Sequence, residues 1–177
     1  KELVNTILKE EIYKNNPTLL QGMSEGKKVL FFLLDGLGSH QLESNEGVLL
    51  NNRVLDLNTT FPSTTNVVLT SFCTASMPRE HGVLSYFMFD QDFGGIFNAL
   101  VWNKAEENIL KAENYLNKKT IWETLEEYKV SPSVFQPNDL STSILSKNIY
   151  KGAKINTYEN IENLFDKLIK NKESLSS

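Results

Sequence analysis

The run Val29-Leu-Phe-Phe-Leu-Leu-Asp-Gly-Leu-Gly38 decides how the rest of the chain is read. Six apolar residues stop abruptly at Asp35, which is followed by Gly36 and Gly38. Six residues fall far short of the roughly 20 that a membrane-spanning helix needs. A strand apolar on both faces belongs inside a parallel sheet covered by helices. Ligands in such sheets collect at the carboxyl ends of the strands. Asp35 therefore stands either where a carboxylate could face a cation or where it would cap the next helix. Taken alone, Asp-Gly-Leu-Gly reads more simply as the cap. It is no dinucleotide fingerprint, because Gln41 occupies the place of the third glycine.

Periodicity extends this outward in both directions. Leu3, Ile7, Leu8 and Ile12 share one helical face, so residues 1–25 read as a helical extension closed by Pro17 and Gly22. Residues 54–57 suit a second strand, and residues 66–74 a helix entered from the Pro62 turn. Residues 84–89 and 96–102 flank Asp90-Gln-Asp-Phe-Gly-Gly95 as a hairpin. Thr120 and Glu123 form a capping box for a helix running to about Tyr128, and residues 130–135 suit another strand. Ile161, Leu164, Phe165, Leu168 and Ile169 mark a last amphipathic helix. Strands alternating with helices predict an α/β fold with a mainly parallel sheet flanked by helices.

Composition narrows the function. The 177 residues are 40% hydrophobic and 23% charged, which suits one domain or part of a larger one rather than a disordered chain. A net charge of −4 without a basic tract argues against nucleic acid polymers as partners. No signal peptide or transmembrane segment is read in the chain, which favours a cytoplasmic location. Cys73 is the one cysteine, so no internal disulfide forms. His40 and His81 are the two histidines, and they limit any metal site built from this chain.

Two further motifs follow the Asp35 turn. Phe61-Pro-Ser-Thr-Thr-Asn66 is a hydroxyl-rich turn entering a helix, where the dipole and free N–H groups favour a phosphate or an ionised hydroxyl. Capping by Ser63 or Thr64 is the plainer alternative. Pro78-Arg-Glu-His-Gly82 is a turn whose His81 is either a ligand or a packed imidazole. In order and spacing, these motifs resemble the type I phosphodiesterase/nucleotide pyrophosphatase family of the alkaline phosphatase superfamily. The resemblance runs from about Val29 to Tyr86 and is weaker around Gln136-Pro-Asn-Asp-Leu-Ser141 and Gly152-Ala153.

The resemblance implies an alkaline phosphatase-like fold and a metal-dependent phosphoester hydrolase with a threonine nucleophile. Thr65 matches that nucleophile, three residues after Pro62 and sixteen before His81. Asp35 matches a metal ligand, and Thr65 would share the metal. His81 matches a structural His-Gly pair. Two divalent ions, zinc by the resemblance, would complete the enzyme, and a small phosphoester or nucleotide would be its substrate. Asn66 and Tyr86 fall where the phosphate would be held, Tyr86 replacing an Asn of the pyrophosphatase relatives. A two-metal site with three imidazole ligands cannot be drawn from two histidines. The expectation is therefore that residues 1–177 are the N-terminal part of a single catalytic domain, the remaining ligands lying on the remainder of the same polypeptide and the isolated piece being inactive.

Two alternatives stand beside this. The chain could be a non-catalytic remnant or binding module on the same fold. Alternatively, Cys73 and Arg79 have the Cys-x5-Arg spacing of cysteine phosphatases. Against the latter, Pro78 removes a backbone donor from the would-be phosphate loop and Glu80 adds a repelling charge.

Overall fold

Residues 29–34 pair with no strand in the computed structural model, which describes residues 29–44, 47–53, 56–91, 94–100 and 115–174. This corrects the expected buried central strand: each of the six side chains is between 49% and 60% exposed. An all-apolar run supplies the demand for burial but not the neighbours that satisfy its backbone. Residues 54 and 55 of the expected second strand, the expected helix within residues 1–25, and Trp102 lie outside the described residues.

The chain divides into two compact units, residues 1–59 and 60–177. In the first, helix α1 (Ser39–Glu43) follows the Asp35 turn and α2 (Val48–Asn51) follows Gly47. Arg53 ties this unit's later part together, pairing with Glu43 at 3.2 Å and with Asp56.

The second unit holds the rest. Helix α3 (Thr65–Thr74) confirms the helix expected after Pro62 and is followed by α4 (Pro78–His81). Strands β1 (Phe87–Asp90) and β2 (Gly95–Asn98) form the expected antiparallel hairpin, with Phe89 opposite Ile96. Strict alternation puts Phe97 in the core and leaves Phe87, Phe89 and Ile96 exposed on the other face.

Helix α5 (Ile121–Glu127) begins at the predicted capping box: Glu123 N–H donates to Thr120 Oγ1 at 3.1 Å and Thr120 N–H to Glu123 Oε2 at 2.9 Å. Its C-terminus closes through Lys129 at φ 61°, with Val130 N–H reaching back to Leu125 O at 3.0 Å. That closure uses up residues 128–130, so strand β3 (Ser133–Pro137) starts three residues later than expected. Helices α6 (Asn138–Ser141) and α7 (Ile144–Ile149) then cross over to β4 (Lys154–Tyr158), which pairs in parallel with β3. Helix α8 (Ile161–Ser174) follows where the apolar periodicity put it.

The class is thus α/β, with the parallel component present as this one β3–β4 pair among the described residues. The core gathers Cys73 of α3, Phe97 and Ala99 at the hairpin, and Ile144, Leu145 and Ile149 of α7, with Phe72, Trp122 and Tyr150 against it. It anchors the C-terminal half of α3 through Leu69, Phe72 and Cys73.

Candidate functional site

Thr65 is the first residue of α3, entered through a cis Phe61–Pro62 peptide and an extended Thr64. The capping alternative does not materialise. Thr64 is the N-cap residue, but its side chain makes no capping hydrogen bond, and Ser63 is exposed. Instead, Thr60 Oγ1, Thr64 Oγ1 and Asn66 Oδ1 are all buried without a hydrogen-bond partner among the described residues. Native structures carry only a few such atoms per hundred residues. Three within seven residues of chain mark this turn as polar beyond what folding requires.

Asn66 is wholly buried, and its Nδ2 donates to the backbone carbonyl of Ser85 at 2.7 Å. That bond sets Thr65 and Tyr86 on either side of one contact between segments 19 residues apart. Tyr86 is 36% exposed, its ring edge-on to Phe87 at 5.1 Å. Of the two residues expected at the phosphate, Asn66 is thus enclosed and Tyr86 partly exposed.

His81 is buried and doubly bonded. Val83 N–H donates to Nδ1 at 3.1 Å, which leaves the ring proton on Nε2, 2.8 Å from Ser71 Oγ. Burial pulls its pKa down, with Lys118 adding to the effect and Glu80 opposing it. A neutral imidazole with both nitrogens engaged holds a turn and is not a metal ligand.

Asp35 lies in the other unit, exposed, in a turn whose Gly36 takes φ 73°. It does not cap the following helix: the N-cap of α1 is Gly38, whose N–H donates to Gln41 Oε1 at 3.2 Å. His40, exposed in the same unit, has Nδ1 3.3 Å from Ser44 Oγ.

The family model described as Type I phosphodiesterase / nucleotide pyrophosphatase matches residues 29–171 of this chain. The chain belongs to that family. Neither a curated protein nor a solved structure matches it. Members of the type I phosphodiesterase/nucleotide pyrophosphatase family hydrolyse small phosphoesters and nucleotides and are generally dependent on divalent metals. Among the described residues no helix is long and apolar enough to cross a membrane.

Among the described residues, no group of three or more His, Cys, Asp or Glu side chains could hold a metal ion. With His81 committed to Ser71 and Val83, a two-metal centre does not assemble from the described residues.

The cysteine phosphatase alternative loses its nucleophile. Cys73 is 1% exposed in the core, and burial pushes its thiol up to about 12, the Trp122 indole opposing slightly. At neutral pH it is a protonated core residue. Arg79, by contrast, is exposed.

Nothing in the sequence marks Ser71 or Ser85, while Gln136 stands in the weaker stretch of the resemblance. Ser71 completes the His81 turn, and Ser85 supplies the carbonyl that Asn66 reads. Gln136, buried near the carboxyl end of β3, accepts from Ser146 Oγ at 3.0 Å. These partners are 10 to 19 residues apart, so no local pattern announces them.

Proposed function

We propose that this chain carries the nucleophile half of a phosphoester hydrolase, with Thr65 as the attacking residue. The supporting observation is that a threonine at the spacing of the family's nucleophile opens a ten-residue helix whose N-cap residue, Thr64, makes no side-chain capping hydrogen bond. The dipole and N–H groups of such a terminus favour the negative charge of a phosphoester and of an ionising hydroxyl. Thr65 Oγ would attack phosphorus in line, forming a new P–O bond as the bond to the departing group breaks. The hydroxyl proton passes to solvent, and the departing group leaves with the electron pair. Water then cleaves the phospho-threonine or nucleotidyl-threonine and restores the hydroxyl. Tyr86 would donate to a non-bridging oxygen.

Two divalent ions, zinc by family resemblance, belong to the complete enzyme in this proposal, and Asp35 and Thr65 are the ligands this chain would contribute. A bound metal would supply the means of ionising a threonine hydroxyl near neutral pH, which an unassisted hydroxyl lacks. The fold they would serve is alkaline phosphatase-like, with residues 1–177 as the N-terminal part of a single catalytic domain.

The test is hydrolysis of a chromogenic phosphodiester by the full-length protein with added zinc. Turnover that is lost in Thr65→Ala supports the nucleophile; turnover that survives it overturns the assignment. A second reading, a non-catalytic module on the same fold, draws support from the lack of a three-ligand cluster among the described residues. It predicts no zinc-dependent turnover in the same assay.

A further inference from the structure

We propose that Asn66 is a positioning residue, whose buried amide clamps the segment carrying Tyr86 to the helix turn carrying Thr65. The proposal rests on Thr65 being the nucleophile, and it replaces the phosphate contact that sequence spacing suggests for Asn66.

Geometry carries it. Ser85 O accepts from Asn66 Nδ2 at 2.7 Å, while the very next carbonyl, Tyr86 O, accepts from Ala99 N at 2.8 Å. Two successive carbonyls are thus held, one by the first turn of α3 and one by the residue after β2. Ala99 is itself wholly buried, so the second anchor is set in the core. Between these anchors the backbone at residues 85–86 has little freedom, and the Tyr86 side chain that it carries is partly exposed.

Packing alone gives no reason for an amide at position 66. The neighbouring Val67 is also wholly buried, and an apolar side chain would fill the same space. Instead, Asn66 Oδ1 is buried with no donor among the described residues, and an unsatisfied buried acceptor is destabilising. What the amide provides in return is the bond to Ser85. That bond ties the nucleophile's own helix turn to the residue before Tyr86.

The experiment uses the full-length protein carrying Asn66→Leu, which keeps the volume and removes the donor. Asn66→Asp, which keeps the shape and turns an acceptor toward Ser85 O, covers the case in which the first variant does not fold. Three readouts are taken: amide hydrogen exchange over residues 83–87, the melting temperature, and kcat/KM per folded molecule on a chromogenic phosphodiester. The expected result is faster exchange in that segment, a retained cooperative melt, and a loss in kcat/KM of about 10–100-fold. In a Tyr86→Phe background the same substitution should cost under about 3-fold, since its target has already been removed. Unchanged exchange, unchanged kcat/KM, or an equal loss in both backgrounds overturns the proposal. Thr65→Ala separates the two claims. If it is inactive while Asn66→Leu is fully active, only the positioning role fails. If it stays active, the nucleophile assignment fails, and the exchange data still decide whether Asn66 holds residues 85–86.

Discussion

Ser71 Oγ and His81 Nε2 lie 2.8 Å apart in the interior, joining the middle of α3 to the turn that ends at Gly82. The bond gives a buried ring N–H its partner and leaves Nδ1 to accept from Val83. Ser71→Ala should therefore strand that N–H and cost about 1–3 kcal/mol, measured by denaturant unfolding. A change below about 0.5 kcal/mol would mean that the turn is held by other contacts.

The same imidazole makes stability pH-dependent. Its folded pKa lies below the ordinary 6.5, because burial disfavours the charged ring. The unfolded chain then binds the proton more readily than the folded one. His81's contribution is full above about pH 6.5 and is lost as pH falls through the lowered folded value. Unfolding midpoints measured from pH 7.5 down to 5 should fall, and His81→Asn should flatten that limb. An equally steep limb in the variant would assign it to other groups.

Thr65→Ala should lower turnover by at least about 10³-fold, because the neighbouring hydroxyls of Thr64 and Ser63 stand one and two residues off the nucleophile's spacing. Thr65→Ser, which keeps the hydroxyl, should retain measurable activity. Steady-state assays with a chromogenic phosphodiester compare the two, and equal rates in both variants would contradict nucleophilic attack by residue 65.

Gly152 and Gly82 make a matched pair. Both take left-handed backbone, at φ 88° and 78°. A Cβ on Gly152 would meet Glu123 N at 2.5 Å, whereas one on Gly82 meets nothing within 4 Å. Gly152→Ala should therefore cost about 2–4 kcal/mol, from strain plus overpacking. Gly82→Ala should cost only the strain, about 1–2 kcal/mol. Thermal melts of the two variants check the ordering.

Cys73 should resist thiol reagents in the folded protein and react once it is denatured, since burial holds it protonated with a pKa near 12. Cys73→Ala should leave phosphodiester turnover within about twofold while lowering stability by about 1–2 kcal/mol. Loss of turnover in a folded variant would return the thiol to consideration.

The elements that sequence rendered legible are those set by neighbours along the chain. The box at Thr120 and Glu123 names its helix because both its hydrogen bonds close within three residues. The apolar period of residues 161–169 and the Gly-Gly turn before Ile96 likewise act locally. The order of the Asp35, Thr65 and His81 motifs also led to the family, whose model then matched residues 29–171.

Tertiary structure decided what those local signals could not. Residues 29–34 show it by failing, since an apolar run does not contain the strands that would flank it. Ser63 and Thr64 show it differently: both have capping chemistry, yet Thr64, the N-cap residue of α3, makes no side-chain capping bond and Ser63 is exposed. The fate of His81 rested on Ser71, and that of Asn66 on Ser85, across separations of 10 and 19 residues. Sequence by itself set which groups were available and which helices would form, because those depend on residue chemistry and short-range hydrogen bonds. Only the folded chain settled which polar atoms found partners, because long-range hydrogen bonds depend on where the core places the two backbones.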